Sequence, residues 1–436
     1  MSKENKHITV FEHESLRTDR GEQRLTNSQL EALQLFYGEN GVPYYSLIHH
    51  GVRFNEYVGV IQVGKTVIEV LPKADKSNDT DRWRNVLISM LHAVGIFDIH
   101  APSNSNLRLR SNSILDLYFE LFIKEVEYLL HRGLVKKYRK TEGNRTALKG
   151  SIQFAKHISQ NLVHQERFYV RHTTYDKEHD IHAILYKALK LLSYINTNVQ
   201  LNSRLGALLL DFPELYDIKI TEALFDKIAL DRKTETYRNA LEIAKLILLN
   251  YHPDVNRGTN NVLALMFDMN VLWEQFVYVS LRRHKANTTS IAAQNTKNFW
   301  KPLSGYRSKM KPDIVLNKGT EDCVVLDTKW KNLNGYNPSP EDLRQMFVYM
   351  KYYGAKKVAL VYPGSENRNQ SGQYYDHSSQ DSKHLSNEEC SVIFIGVEKD
   401  VKAWQSQIWE IINLELLRKL EFIRSPQETQ QIQDRQ

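Results

Sequence analysis

The sequence predicts a mixed α+β and α/β chain, with an N-terminal β-rich and helical part followed by a C-terminal part built on a mixed sheet flanked by helices. Three patterns predict it. Residues 44–72 alternate in strand fashion, several segments between 82 and 249 carry helical periodicity, and from Val262 onward a helix, a hairpin, a helix and two strands follow in turn. At 436 residues the chain is long enough for two or three domains. The expected divisions are 1–150, a β-rich and helical domain; 151–258, a helical connecting region; 259–424, the mixed-sheet domain; and 425–436, a Gln-rich polar tail expected to be disordered.

A formal net charge of +7 and a pI near 9.0 favour nucleic acid over acidic small molecules as a partner. Cys323 and Cys390 are the only cysteines, which excludes a disulfide framework and a cysteine-rich zinc site. Residues 1–17 contain no apolar core of signal type, and no apolar run reaches membrane-spanning length, so a cytosolic (cytoplasmic) protein without membrane contact is expected.

Ser28 and Glu31 have capping-box spacing, and Leu30, Leu33 and Phe36 follow at helical spacing, so a short helix is expected over 28–37. Strands follow up to Pro72. Inside them, Gly59-Val60-Ile61-Gln62-Val63-Gly64-Lys65-Thr66 matches the Walker A phosphate-loop string letter for letter. Such a loop needs a helix starting at its Lys-Thr. Here three of the four variable positions are β-branched and Val67–Leu71 continues as strand, so Gly64-Lys65 is expected to be a hairpin turn.

Trp83–Ile96 and Ile114–Leu130 read as helices. Arg132–Arg145 reads as a basic loop; with seven Lys or Arg between Arg132 and Lys149 against one acid, contact with DNA, contact with an acidic partner and plain solvation all stay open. Phe168–Arg171 is expected as a strand, and Ile181–Asn196, Asn202–Leu210 and Thr236–Leu249 as helices. His172, His179 and His182, near Asp176, Glu178 and Asp180, match no ligand spacing and read as a polar loop and a helix start.

Val262–His284 is expected as one helix, through Leu265, Met269, Leu272, Phe276 and Val279, with Glu274 among apolar neighbours. Two short apolar runs then flank a Gly-containing break between Lys311 and Lys329, the pattern of a β-hairpin. Strand alternation sends Asp327 and Lys329 to one side and Thr328 to the other, and hairpin twist can bring Asp313 near. Two carboxylates and an ammonium meeting at one point suit phosphodiester hydrolysis, with hard oxygen ligands for Mg2+ (or Mn2+) and a lysine to orient water. Ordinary turn and strand-end chemistry gives the same residue types, so context decides. Ser339-Pro340-Glu341-Asp342 is a helix start, with Leu343, Met346, Phe347 and Met350 as its buried stripe and Gln345 and Tyr349 four apart on another. Gly354 closes that helix. A strand at Lys357–Tyr362 ended by Pro363, and one at Ser391–Val397, complete the order.

This order, with these residues, resembles the PD-(D/E)xK restriction-endonuclease-like superfamily over roughly Asn261 to Glu398. The resemblance implies that Asp313, Asp327, the Thr328 carbonyl and Glu274 hold metal, that Lys329 orients water, and that Gln345 and Tyr349, a Gln-x-x-x-Tyr pair, support it. From Leu281 to Pro312 there is no Asp or Glu, while Arg282, Arg283, Lys285, Lys297, Lys301, Arg307, Lys309 and Lys311 are basic, with Phe299, Trp300 and Tyr306 interleaved. Beside a candidate phosphate-cleaving site this segment reads as a surface that grips the DNA backbone.

Further motifs narrow the likeness. Val70-Leu71-Pro72-Lys73, the loop from Arg132-Gly133-Leu134 to Tyr138, and Leu148-Lys149-Gly150, together with the terminal nuclease-like part, resemble the McrC family of modified-cytosine-dependent restriction nucleases. That resemblance implies a partner, an McrB-like hexameric AAA+ GTPase that recognises methylated DNA, docks the N-terminal domain and is stimulated by it. It accounts for the lack of a credible phosphate loop here. A non-cleaving DNA-binding regulator of a motor, a nucleotide hydrolase using Gly59–Thr66, and a standalone PD-(D/E)xK repair nuclease are the alternatives.

Overall fold

The computed structural model of the protein describes residues 7–75, 77–95, 114–253, 261–333, 337–376 and 384–417. The expected end of the Trp83–Ile96 helix at Ile96 and the polar tail at 425–436 lie outside them. The chain forms two compact units that interleave in sequence: Met1–Asn55, Gly59–Val70 and Phe97–Met266 make the first, and Glu56–Val58, Leu71–Ile96 and Phe267–Gln436 the second. Mixed sheets flanked by helices recur through the chain. Among the described residues no helix is long and apolar enough to cross a membrane.

A five-stranded sheet, most of whose residues belong to the first unit, runs in the order His7–Phe11, Thr66–Leu71, Tyr57–Val63, Val262–Asp268, Tyr251–His252. Val262–Asp268 was expected to open a long helix. It is a strand instead, because its apolar residues continue a buried sheet, and the helix starts only where Asp268 accepts from the Asn270 and Val271 amides. The first helix runs Asn27–Tyr37, and its capping box is made by Thr26 and Gln29 rather than Ser28 and Glu31.

The Walker-like string is a hairpin: Val63 pairs Thr66 across the two-residue turn Gly64-Lys65, and Thr66–Leu71 is strand throughout. Its first glycine has another purpose. Gly59 takes φ +136°, and a Cβ there would stand 2.2 Å from the Leu265 carbonyl oxygen, so only glycine lets the two backbones approach.

Helix Ile114–Arg132 packs on Val199–Asp211 and Arg238–Leu249, and Asp180–Ile195 packs on the same two. Part of the expected basic loop is the strand Lys137–Arg145, antiparallel to Phe168–Asp176. The strand forms because its charges find partners across the ladder, Arg139 on Asp176 at 3.1 Å and Glu142 on Arg171 at 2.5 Å. His179 and His182 make contacts within the fold. His182 is fully buried between the Lys177 carbonyl at 2.7 Å and the Tyr237 hydroxyl at 3.0 Å, burial holds it down to about 3 and hence neutral, and His179 faces the Val135 carbonyl at 3.0 Å.

In the second unit six strands run in the order Ile291–Ala293, Ile314–Leu316, Val324–Thr328, Lys357–Gly364, Leu385–Gly396, Arg368–Tyr375. The three central pairings are antiparallel, parallel and parallel. Lys357–Gly364 runs through Pro363, where Pro363 still pairs Ile395, rather than ending there. Val315, Val325, Val358, Leu360 and Val392 pack with Met346, Tyr349, Met350 and Tyr353 of helix Pro340–Tyr353 as one core. Helices Met269–His284, Val401–Ile412 and Thr80–Ala93 pack together around Trp273, Phe276 and Trp404, whose rings lie within 6.1 Å of one another.

Gly59→Ala should destabilise the full-length chain by about 3 kcal/mol or more, whereas Lys65→Ala, at an exposed turn, should change stability by no more than about 0.5 kcal/mol. Urea unfolding of the two variants measures both.

Candidate active site

Positive φ at Asn317 (49°) and Gly319 (80°) turns the chain between the two strands of the acidic hairpin. Ile314 pairs Leu326, and the same register carried one step further sets Asp313 across from Asp327. Val324–Thr328 therefore outruns its partner strand on that side, and the Thr328 amide needs another acceptor. Asp313 supplies it: its Oδ2 accepts from the Thr328 N–H at 2.7 Å and from the Thr328 hydroxyl at 2.9 Å. On the other side the Lys329 N–H donates to the Val361 carbonyl at 3.0 Å, which carries the parallel pairing past the strand end. The Lys329 ammonium then lies 2.7 Å from Asp327 Oδ2, whose side chain is 1% exposed.

Helix Pro340–Tyr353 begins as expected, with Ser339 Oγ accepting from the Asp342 N–H at 3.1 Å and Pro340 in the first turn, and closes on Gly354 in the left-handed region. Gln345 Nε2 donates to the Tyr349 hydroxyl at 2.8 Å. Burial raises the Tyr349 phenol, which also senses the charges of Asp327, Asp313 and Lys329. The pair thus flanks the charged cluster from this helix.

Glu274 comes from helix Met269–His284. Sequence reasoning missed the residue that ties it in. Gln294, at φ +48°, donates its backbone N–H to the Asp313 carbonyl at 2.8 Å and its side-chain amide to Glu274 Oε1 at 3.0 Å. Only its place just after a short strand hinted at this. Asn270 was missed as well; its Oδ1 accepts from the Trp330 N–H at 3.1 Å and holds the chain leaving the site.

Burial, and then the Asp313 charge, push Asp327 up to about 6 against the pull of Lys329. The same two causes raise Glu274. Burial works against the Lys329 ammonium, but its attraction and hydrogen bond to Asp327 outweigh that and raise it, so it is charged at neutral pH. Among the described residues no three His, Cys, Asp or Glu side chains form a ready-made ion cage. Mg2+ needs no such cage, since it keeps several waters and takes one or two carboxylates plus substrate phosphate. Asp313 and Asp327 fit that demand. A buried carboxylate whose proton affinity is raised by a facing carboxylate, as at Asp327, is the setting in which a divalent cation is stabilising.

The predicted cations differ in what they touch, and Arg282, Arg283 and Lys285 are exposed like those of the hairpin. Arg283 donates to Gln405 at 2.6 Å, Lys285 to the Thr289 carbonyl at 2.9 Å, and Lys297 to the Tyr352 carbonyl at 2.7 Å, while the Arg282 guanidinium lies over the Tyr278 ring at 5.7 Å; these contacts are within the fold. Lys301, Arg307, Lys309 and Lys311 are exposed, on or just after the antiparallel hairpin Lys297–Trp300 and Ser308–Met310.

The family model for the McrBC 5-methylcytosine restriction system component matches residues 52–363 of the 436. The Type IV methyl-directed restriction enzyme EcoKMcrBC of Escherichia coli strain K12 is 23% identical over 261 residues, 57% of this chain and 72% of that protein. A chain in the refined half-complex from the tetradecameric assembly of Thermococcus gammatolerans McrB AAA+ hexamers with bound McrC superposes with a TM-score of 0.69 at 20% identity. The match covers 94% of this chain and all of that one, so the fold is shared. With the family model spanning well over half of its length, and in accord with the resemblance read from its motifs, this chain belongs to the McrBC 5-methylcytosine restriction system component family.

Proposed function

We propose that the chain is a metal-dependent endodeoxyribonuclease, an McrC-like subunit with a PD-(D/E)xK site that cuts modified DNA in concert with an McrB-like AAA+ GTPase hexamer. The observation that carries the reading is the meeting of Asp313, Asp327 and Lys329 at the end of the Val324–Thr328 strand. The match to a restriction-system family supports DNA as substrate, and the assembly named for the Thermococcus gammatolerans structure supports the hexameric motor as partner.

Asp313, Asp327 and the Thr328 carbonyl, with Glu274 beside them, would hold Mg2+ or Mn2+, which when bound neutralises charge developing on the phosphate. The protein's own groups do the positioning. Lys329 is held as an ammonium and so is no proton acceptor; with one N–H directed at Asp327, its other donors are available to a water or a phosphate oxygen. Gln345 and Tyr349 limit the space around it, and Gln294 fixes the distance between the helix that carries Glu274 and Asp313 at the entry to its strand. Exposed Lys301, Arg307, Lys309 and Lys311 supply phosphate contacts.

Asp327→Ala and Lys329→Ala should each lower cleavage about a hundredfold or more while assembly with the GTPase persists. Gel assays on methylated and unmethylated duplexes, with partner, GTP and Mg2+ or EDTA, check this; wild-type cutting by both variants would refute the site.

The raised Asp327 carboxyl sets a pH dependence. Its folded-state value near 6 exceeds the ordinary 3.8, so between these values the folded chain binds more protons than the unfolded one, and stability falls as pH rises. In EDTA the wild type should lose of order 1–3 kcal/mol across that window relative to Asp327→Asn. Urea titrations at stepped pH measure the difference. Cleavage at limiting Mg2+ should climb through the same window as the carboxylate ionises.

A further inference from the structure

The hairpin Lys297–Trp300 and Ser308–Met310 projects from the site itself. Its two legs are continuous with Gln294 and Asp313, which are joined by a backbone hydrogen bond of 2.8 Å. Its base is anchored on helix Pro340–Tyr353: Lys297 donates to the Tyr352 carbonyl and lies 4.6 Å from the Tyr353 ring centroid, Phe299 meets the Tyr352 ring edge-on at 5.3 Å, and Tyr353 donates to the Asn295 carbonyl at 2.5 Å. Beyond that base the apolar side chains face water. Trp300 is 60% exposed, Leu303 110% and Tyr306 99%. Three large apolar groups on one tip, with Pro302 and Gly305 shaping the turn between them, are costly to leave in water unless something covers them.

Charge identifies what covers them. No acid occurs from Leu281 to Pro312, and the same hairpin and its exit carry the exposed Lys301, Arg307, Lys309 and Lys311. A cationic stem with an apolar tip matches a polyanion with an apolar interior, which is the make-up of DNA: phosphates outside, stacked bases within. At about 3.3 Å per strand residue, the tip reaches roughly 20 Å from Asp313, within one helical turn of DNA of the candidate scissile phosphate. We infer that this hairpin is a wedge, with Trp300, Leu303 and Tyr306 entering the base stack of the bound duplex while its lysines and arginine hold the flanking phosphates. The inference rests on the nuclease reading of the adjoining site and adds to it a distortion of the DNA next to the cut. It assigns a role to the aromatic residues that backbone gripping leaves unexplained.

The test uses the full-length chain with Asp327→Asn, so that DNA is held uncut, and 5-methylcytosine duplexes carrying one 2-aminopurine moved step by step along the strand. Binding is followed by anisotropy and unstacking by 2-aminopurine emission. The expected result is a change of emission at one or two adjacent steps, lost in the Trp300→Ala, Leu303→Ala, Tyr306→Ala triple variant, together with roughly tenfold or greater weakening of binding. The tip is exposed, so the triple variant should melt like its parent, and Leu303→Phe should keep the emission change. Binding with unaltered emission at every step, an emission change that survives the triple variant, or no binding to duplex at any salt concentration overturns the wedge. So does a triple variant that binds DNA normally but no longer assembles with the GTPase, which would assign the tip to a protein. Cleavage by the triple variant with Asp327 intact is measured in parallel. Normal cutting without unstacking sinks only the wedge, whereas DNA bound and unstacked but never cut sinks the nuclease reading instead.

Discussion

One carboxylate oxygen organises the second unit. Asp313 Oδ2 takes both the amide and the hydroxyl proton of Thr328, and so replaces the ladder partner that the shorter strand does not provide. Without that clamp Asp313 and Asp327, set opposite each other by the register, would repel and part. With it, two like charges are held together against their preference, and the lysine two residues along is drawn in to offset them. Charge-assisted bonds to a carboxylate are worth more than neutral ones, which suits this one to hold a strained grouping.

The arrangement is poor as a stability device. A carboxylate 1% exposed beside another carboxylate loses hydration and gains repulsion, and the single ammonium at 2.7 Å compensates only in part, since Asp327 still rests near 6. Apolar side chains would pack the same position better. Local rules broken in this way tend to mark places where a chain works rather than places where it merely folds. The surroundings follow the rules: Ser339, Pro340 and Gly354 start and stop the adjacent helix in orthodox fashion, and the core beneath it is apolar.

Much of this was legible from local signals. The acidic hairpin declared itself by two apolar runs around a Gly-containing break, the capped helix by Ser-Pro-Glu-Asp, and the Gly64-Lys65 turn by the strand that follows it. Failures came where long-range partners outvoted local pattern. Val262–Asp268 has apolar spacing that a helix could use, but it lies in a sheet with strands two hundred residues earlier in the chain. Lys137–Arg145 reads as part of a basic loop until Asp176 and Arg171 supply its cross-strand partners. Gln294 carried little signal beyond its place after a short strand, because its importance lies in a positive φ and in two bonds to residues 19 and 20 positions away. Of the basic segment, composition gave the charges but not which of them make contacts within the fold.

The interleaving of the two units constrains how such a chain can be altered over time. Helix Thr80–Ala93 belongs with the second unit: its Arg82 donates to the Val397 carbonyl at 3.4 Å, and the Ala74 carbonyl just before it accepts from Asn332 at 2.8 Å. A single genetic crossover near residue 267 would therefore hand a new host the acidic hairpin without the helix that completes its scaffold, and Trp83, now wholly buried, would be left behind. Inheritance as one piece follows from the path of the backbone.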